Sequence, residues 1–378
     1  MSDVIHHPNH FTSLPREYYV SAELFEAEGR EIFQNQWQYV GHTSQIPNPG
    51  DYIVTSFWRE SLIITRTRRD AVKAYFNVCR HRGSQICTPD STGTARGFSC
   101  PYHQWSWNLD GELRGAPAAS DIPDFDKTRW SLHEAAVEVV HGSIYIHLGT
   151  PERSAREQLT GIDDETMALI EPERMKLIHE ERYRVQANWK LMMENNLECY
   201  HCAGAHPALF TVADVPIGFG EIDADGCVVF DETAGFFPVK PGMQTFSMDG
   251  AWVCRKPLGT PQPAGFNAGW HSLPIFDGHV YYADHAVHMS LNPIDVDTTE
   301  FLCQWFVHED AVEGVDYDTA SVIEIFDITN REDVALTEAN ARGARSIRFV
   351  PGPNSPTRES GLDEGLTHYL ELMGDITP

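Results

Sequence analysis

The sequence predicts an α+β protein in which a small all-β domain precedes a larger domain of antiparallel strands and helices. Three short runs rich in Val, Ile, Thr and Tyr are typical of antiparallel strands: Asp51–Trp58, Ser61–Arg68 and Ala71–Cys79. Further along, apolar residues recur at helical spacing in Val185–His201. Near position 150 the strand-like runs give way to a charged, helix-prone segment, and we place the boundary between the two domains there.

The first segments of the chain set up the all-β domain. Residues 1–40 predict a loose N-terminal arm followed by one helix, for which Ser21 is a good N-cap and Trp37 the approximate end. The all-β domain covers residues 41–150. Its last predicted strand is a single run, Val137–Leu148.

Residues 151–378 form the second predicted domain. Its first part, residues 151–185, is charged and helix-prone, and the apolar periodicity after it predicts one helix that ends at His201. Strands, Gly/Pro-rich loops and helices follow. The later strands are predicted within His279–Asn292 and Thr299–His308. The later helices are predicted near residues 311–328, 331–346 and 362–374.

Composition limits the classes of partner. The net charge is −27, and because polyanions are held by basic patches, nucleic acid and anionic membranes are excluded as partners. No apolar run approaches the roughly 18 residues of a membrane span. We expect a cytoplasmic protein, because the N-terminus lacks the pattern of a signal peptide. In the reducing cytoplasm, cysteines are more often metal ligands or buried apolar residues than disulfides. We interpret Cys199 and Cys202, which form a Cys-x-x-Cys pair, as packing residues.

Two Cys-His pairs predict a metal centre in the all-β domain. Cys79 with His81, and Cys100 with His103, each end a strand-like run, so two loops can enclose one group. Two thiolates and two imidazoles can hold tetrahedral zinc. Their order and spacing fit a Rieske [2Fe–2S] cluster better, with the cysteines on one iron and the histidines on the other. The aromatic side chains expected to shield it are Tyr102, Trp105 and Trp107.

A second set of possible metal ligands lies within the sequence NWKLMMENNLECYHCAGAHP, residues 188–207. On the predicted helix, Glu194, Glu198 and His201 share one face at i, i+4 and i+7. His206 lies past the helix end, where the chain can turn back. Two histidines and a carboxylate are the donor set of a mononuclear iron site with open positions for O2. The alternative is a solvated polar face with a capping histidine.

Together these motifs resemble those of the α subunits of Rieske non-haem iron oxygenases, over nearly the whole chain. The resemblance implies a Rieske domain and a catalytic domain with an antiparallel sheet flanked by helices. It implies that His201 and His206 bind catalytic Fe(II), which uses O2 as co-substrate. It also implies a downstream carboxylate as third ligand; Asp333 falls on that position, and the neighbouring Glu332 stays open as an alternative.

The resemblance further assigns a role to Glu198. In the family this position, which is often Asp, bridges an iron-ligating histidine and a cluster histidine of the neighbouring subunit. Here the bridge would link His103 of one chain to His201 of the next. Such a bridge implies a homotrimer with head-to-tail contacts. Electrons would come from NAD(P)H through a flavin/iron–sulfur reductase.

Within the family, the Glu-Cys-Tyr-His-Cys sequence at residues 198–202 resembles the subgroup that oxidises glycine betaine, proline betaine, carnitine and choline. It implies a small quaternary ammonium substrate, hydroxylated at an N-methyl or nearby C–H; N-methyl attack releases formaldehyde. Two alternatives stay open: an aromatic acid hydroxylase or aryl ether O-demethylase with the same cofactors, and a Rieske electron carrier without catalysis. Chain length and the second metal motif count against the carrier.

An aromatic cage is the physical means of holding a methylated cation. The second domain is rich in aromatic residues, and we expect two or three of them to line a pocket while most belong to the core. The aromatic residues of this domain include Phe230, Phe236, Phe237, Trp252, Trp270, Phe276, Tyr281, Tyr282 and Trp305.

Overall fold

The computed structural model describes residues 12–214, 220–222, 228–230 and 238–376, so most of the predicted N-terminal arm lies outside it. The helices are α1 Glu17–Val20, α2 Ala22–Glu28, α3 Ala155–Gln158, α4 Asp164–Ile170, α5 Trp189–Asn196, α6 Cys202–Ala205, α7 Leu209–Val212, α8 Thr319–Ala344 and α9 Ser360–Met373. A π-helical turn spans Gly29–Phe33, and 3-10 turns span Thr43–Gln45, Ala119–Asp121, Lys127–Trp130 and Pro172–Arg174.

The strands are β1 Gln38–His42, β2 Asp51–Phe57, β3 Glu60–Arg66, β4 Val72–Phe76, β5 Thr92–Thr94, β6 Phe98–Ser99, β7 Ser106–Trp107, β8 Leu113–Gly115, β9 Glu134–Val140, β10 Ser143–His147, β11 Met175–Val185, β12 Gly220–Ile222, β13 Val228–Phe230, β14 Asn267–Ser272, β15 Asp277–Tyr282, β16 Ala286–Asp295 and β17 Thr298–His308. Their ladders are antiparallel, and the α+β class is confirmed.

The chain divides into two compact units. One comprises residues 33–158, and the other comprises the described residues before 33 and after 158. The predicted domain limits, 1–40, 41–150 and 151–378, stay a prediction. No helix in the described ranges is both long enough and apolar enough to cross a membrane.

The unit of residues 33–158 is built from two sheets, in the orders β1-β10-β9-β4-β3-β2-β5 and β6-β7-β8. The predicted strands β2, β3 and β4 are confirmed to within a few residues. The single strand predicted at Val137–Leu148 is wrong, because the segment is the hairpin β9–β10. His141 and Gly142 have left-handed backbone, with φ of +47° and +81°, which reverses the chain between the two strands.

In the other unit, β11, β17, β16, β15 and β14 follow one another in an antiparallel sheet. The helix predicted over residues 151–185 is wrong beyond α4. From Met175 onward the segment is strand β11, paired with β17 along its whole length up to Val185. Tertiary pairing with a long apolar strand overrides the weak local helix preference of this charged segment.

Helix α8 crosses the face of this sheet that carries the odd-numbered residues of β11. The Tyr183 hydroxyl donates to Asp327 Oδ1 at 2.6 Å, and Arg331 pairs with Glu181 at 3.2 Å. The two helices predicted near 311–328 and 331–346 are therefore one helix. No proline interrupts it, and its buried face, including Asp333, is continuous across the predicted gap.

The N-terminal helix starts as predicted but ends differently. Ser21 Oγ accepts the Leu24 N–H at 3.2 Å, as an N-cap does, but the regular helix stops at Glu28 and continues as the π-helical turn. The helix predicted near 362–374 is confirmed as α9.

A buried carboxylate joins the N-terminal helix to α5 and α9. Glu28 is fully buried and pairs with the Lys190 ammonium, which is also fully buried. The Trp189 indole N–H and the Tyr369 hydroxyl donate to the same carboxylate, each at 2.8 Å. The charge on Glu28 is therefore both paired and hydrogen-bonded, which is the condition for keeping a carboxylate in the interior.

Glu28→Gln is expected to destabilise the protein by about 3–5 kcal/mol, because it leaves the Lys190 ammonium buried without a counter-charge. Chemical denaturation measures the change in the free energy of unfolding. The double variant Glu28→Gln, Lys190→Met is the control, and it should recover a large part of that loss. Equal stability of Glu28→Gln and the unmodified protein would show that the ion pair does not hold these helices.

Candidate metal centres

Two similar loops carry the four residues of the predicted cluster site. The Cys79 N–H donates to the Ser84 carbonyl at 2.8 Å, and its own carbonyl accepts the Gly83 N–H at 2.9 Å. The Cys100 carbonyl accepts the Gln104 N–H at 3.1 Å, and the Cys100 N–H donates to the Trp105 carbonyl at 2.8 Å. Left-handed backbone at Gly83 and Gln104, with φ of +75° and +60°, tightens both loops.

The thiols and imidazoles of these loops lie in different surroundings. Cys79 and Cys100 are neighbours and are buried, at 5% and 1% exposure. The His81 ring is exposed, and its centroid lies 4.7 Å from that of His103. Trp105, which is buried, stacks on His81 at 5.0 Å. Two adjacent thiols and two adjacent imidazoles are the donor set of a Rieske cluster, so these residues fit that group.

The expected aromatic shield is only partly correct. Trp105 and Trp107 are buried beside the cysteines in one core cluster. Tyr102 is 58% exposed and stacks on the His103 ring at 3.8 Å, so it does not exclude solvent. The histidine side of the site therefore faces outward, which is where an electron would enter or leave.

The helix that precedes the second site is shorter than predicted. Helix α5 begins after Asn188, whose side chain accepts the Lys190 N–H at 3.1 Å, and it ends at Asn196. His201 is thus outside this helix, and the prediction that Glu194, Glu198 and His201 share a helix face is wrong, although all three line one cleft.

A carboxylate shapes the turn after α5 instead. Glu198 Oε2 accepts the backbone N–H groups of Tyr200 and His201, the latter at 3.3 Å. Its other oxygen, Oε1, lies 2.5 Å from His201 Nδ1. Glu198 therefore fixes the loop and the orientation of the imidazole at the same time.

The other nitrogen of His201 points to a shared carboxylate. His201 Nε2 lies 3.1 Å from Asp333 Oδ1, and His206 Nε2 lies 3.0 Å from the same oxygen. The two imidazole rings are 5.1 Å apart at 77°. The structure thus brings together three predicted site residues from two distant parts of the sequence.

Glu332 lies on the other side of His206. Its Oε2 is 2.8 Å from His206 Nδ1, so it orients this ring while Nε2 remains directed toward Asp333. The side chains of Glu198 and Glu332 thus have equivalent contacts, one on each histidine. Carboxylates that bind the second nitrogen of a metal-ligating imidazole are common around metal sites.

The charges of this group are strongly coupled. Burial lowers the pKa of His201, but hydrogen bonds to Asp333 and Glu198 outweigh it and raise this pKa to about 9. Burial raises the pKa of Asp333, but the two imidazoles outweigh it and keep this pKa below its usual value. A bound metal ion would take the place of these protons as the positive charge beside the carboxylate.

One atom in this group indicates that the residues fit iron. His206 Nε2 is buried and makes no hydrogen bond of acceptable geometry within the described residues, although Asp333 Oδ1 is near. Cys202 was missed as a potential ligand: its Sγ is within 4.8 Å of the ligand atoms of His201 and His206. A Cys-x-x-Cys pair around a histidine was the signal in the sequence that pointed to it.

Cys199 and Cys202 form a disulfide, with Cα atoms 4.9 Å apart, so their interpretation as packing residues is wrong. With α5 ending at Asn196, the chain turns between the two cysteines and brings their sulfur atoms together. On a continuous helix the Cβ atoms of residues three apart lie about 5–6 Å from each other. A disulfide needs about 3.5–4.5 Å, which is why the longer predicted helix led to the wrong interpretation.

Other polar groups are buried in this unit. Glu194 accepts the Tyr19 hydroxyl at 2.7 Å, and burial raises its pKa to about 7. It lines a cleft of about 300 Å³ together with Glu198 and His201. On the opposite face of the sheet from α8, Asp277 lies 2.5 Å from Nε2 of His288, which is also buried.

Comparison with known proteins identifies matches along the whole chain. Residues 172–375 match the ring hydroxylating alpha subunit (catalytic domain) family, and residues 36–126 match the Rieske [2Fe–2S] domain. The chain is 34% identical to a glycine betaine monooxygenase oxygenase subunit of Pseudomonas aeruginosa, over 98% of this chain and 91% of that protein. It is 27% identical to a carnitine monooxygenase oxygenase subunit of Escherichia coli, over 98% and 95%.

The fold is also similar to that of solved structures. A quaternary ammonium Rieske monooxygenase, solved in complex with L-carnitine, has a TM-score of 0.75 over 96% of both chains at 24% identity. The Rieske-domain match favours the [2Fe–2S] cluster over zinc at the Cys-His pairs.

Asp333→Ala is expected to lose the mononuclear iron and to keep the cluster. Metal analysis should then fall from about three irons per chain to about two, with an unchanged visible spectrum of the cluster. Glu332→Ala is the matched control and should lower iron affinity by about 10–100-fold without abolishing binding. If Asp333→Ala retains the iron and Glu332→Ala loses it, Glu332 is the third ligand.

Proposed function

The chain belongs to the ring-hydroxylating oxygenase α subunits with a Rieske domain, and from this premise we propose that it hydroxylates an N-methyl group of a small quaternary ammonium compound. One oxygen atom of O2 enters an N-methyl C–H bond, and the other is reduced to water by two electrons and two protons. The hydroxymethylammonium product then loses formaldehyde and a proton to leave a demethylated amine. The observation that carries the proposal is the convergence of His201 and His206 on Asp333, in a chain that also has the complete Rieske ligand set.

In this proposal the site residues have separate tasks. His201, His206 and Asp333 bind Fe(II), which supplies the O2 chemistry when bound. Glu198 orients His201 through Nδ1 and offers its carboxylate to the cleft side of the site. The proposed cluster ligands are Cys79, His81, Cys100 and His103.

Electron delivery extends the proposal beyond one chain. A head-to-tail homotrimer would let the exposed histidine side of one Rieske domain meet Glu198 of a neighbouring subunit. His103, which would make this contact, lies beside the exposed His81, with ring centroids 4.7 Å apart. This position and the cleft beside Glu198 support the arrangement. The electrons would come from NAD(P)H through a flavin/iron–sulfur reductase in the cytoplasm.

Aromatic rings would hold the proposed cation, and three such rings of this unit pack together in the interior. Tyr282 is buried and stacks on Phe246 at 5.6 Å, and Phe326 of α8 lies 5.0 Å from Phe246. Phe326 and Asp333, two turns apart, both belong to the buried face of α8. The Tyr282 hydroxyl is buried without a hydrogen-bond partner in the described ranges. Phe236, Phe237 and the side chain of Phe230 lie outside the described residues.

The alternatives receive less support. The match to a catalytic domain over residues 172–375 argues against an electron carrier without catalysis. An aromatic acid hydroxylase or aryl ether O-demethylase would use the same metal centres. The full-length similarity to two oxygenase subunits named for betaine and carnitine favours the cationic substrate.

The enzyme, reduced by a reductase, is expected to form formaldehyde and consume O2 in equal amounts with at least one of glycine betaine, proline betaine, carnitine and choline. The control is 3,3-dimethylbutanoate, in which carbon replaces the nitrogen of glycine betaine. It keeps the shape and removes the charge that aromatic rings attract. Coupled turnover of aromatic acids alone would reject the cationic substrate and favour the alternative.

Glu198→Gln is expected to retain both metal centres but to lower steady-state turnover by about 10–100-fold, because the bridge loses its charged acceptor. Stopped-flow spectra follow cluster reduction and reoxidation separately. The rate of cluster reduction should be unchanged, and the rate of its substrate-dependent reoxidation should fall. Glu198→Asp keeps the carboxylate and should recover part of the rate; unchanged turnover in Glu198→Gln would contradict the bridge.

A further inference from the structure

The disulfide Cys199–Cys202 encloses the first proposed iron ligand. His201 lies between its two cysteines in the chain, and Glu198, which orients His201, precedes it directly. Of the cysteines in the described residues, this pair is the one joined by a disulfide. Because the disulfide lies at the proposed iron site, its reduction or oxidation would directly affect the groups around the iron.

The two sulfur atoms are not equivalent. Cys199 is partly exposed and adjoins Tyr200, which is 58% exposed. Cys202 is 4% exposed, and its Sγ lies 3.9 Å from His201 Nε2, the nitrogen that faces Asp333. An external thiolate therefore reaches Cys199 first, and Cys202 is the sulfur that leaves.

We propose that Cys202 is a redox-gated ligand of the mononuclear iron, withheld while it is bonded to Cys199 and released by a dithiol. The external thiolate attacks Cys199 Sγ, the protein S–S bond breaks, and Cys202 leaves as a thiolate. The second thiol of the reductant then attacks the mixed disulfide and frees Cys199. The dithiol is oxidised to its own disulfide, and its two electrons and two protons pass to the two cysteines.

The released Cys202 sulfur lies near the proposed iron ligands. In the disulfide form, Cys202 Sγ already lies within 4.8 Å of a ligand nitrogen of each imidazole, so the released thiolate starts close to the proposed iron position. Thiolate is a soft donor that binds iron well, so it would occupy a position that the two-histidine-one-carboxylate set leaves open. The disulfide form keeps that position free for O2, and reduction closes it. This inference rests on the proposed iron site, but it concerns a residue outside the proposed ligand set.

The test uses holoenzyme with a full iron content, treated with reduced or oxidised dithiothreitol. Alkylation followed by mass spectrometry counts the free thiols. Nitric oxide probes the open position on Fe(II) through the electron paramagnetic resonance signal of its adduct. In the unmodified enzyme, reduction should release two thiols and lower nitric oxide binding by about tenfold or more, and reoxidation should restore it.

A matched pair of variants separates the roles of the two cysteines. Cys199→Ser leaves Cys202 permanently free, so nitric oxide binding should be low in both dithiothreitol states. Cys202→Ser removes the sulfur nearest the iron, so binding should no longer respond to dithiothreitol. Cys87→Ser removes a thiol from the unit of residues 33–158 and should respond as the unmodified enzyme does.

Two results would overturn the inference: release of both thiols with unchanged nitric oxide binding, or free thiols at both positions in enzyme treated with oxidised dithiothreitol. A chain that binds no mononuclear iron in any form would instead count against the proposed function. The unmodified enzyme decides the question even if Cys199→Ser fails to fold.

Discussion

The buried carboxylate of Glu28 is the contact on which the catalytic unit depends most directly. It receives hydrogen bonds or charge from Trp189, Lys190 and Tyr369, which belong to α5 and α9. An unpaired carboxylate in this interior would cost far more free energy than any single apolar contact supplies. The N-terminal helix, the helix before the proposed iron histidines and the last helix are therefore held in one arrangement.

That arrangement fixes where the segment with the proposed metal ligands begins. Helix α5 ends at Asn196, and Glu198 turns the chain so that His201 and His206 face the same carboxylate oxygen. Asp333 arrives on α8, which is anchored on the sheet through Tyr183. Two helices and one turn shaped by a carboxylate thus bring together the three proposed ligands.

The two candidate metal centres have different donor groups but share one feature. In each, some donor groups are buried and others reach the surface of their own unit. The buried thiols of Cys79 and Cys100 contrast with the exposed His81, and the buried His206 contrasts with His201, which lines a cleft beside Glu198. Such asymmetry suits centres that must exclude water from the reacting metal but exchange electrons with a partner.

The sequence predicted the type of each metal centre, because the identity and spacing of the proposed ligands are properties of the chain. The Cys-His pairs predicted a Rieske cluster, a group that the domain match supports, and the strands before them were predicted to within a few residues. The sequence did not predict the end of α5, the single helix α8 or the strand β11. Those depend on pairing and burial against distant residues, which override weak local preferences.

The same limit applies to the candidate site. Asp333 was predicted from family resemblance, and its convergence with His201 and His206 required the tertiary structure. The disulfide could not be predicted, because its geometry depends on a helix that ends before Cys199. Sequence spacing specifies which groups can react, whereas the tertiary structure decides which of them meet, since each contact joins segments whose distance is set by packing.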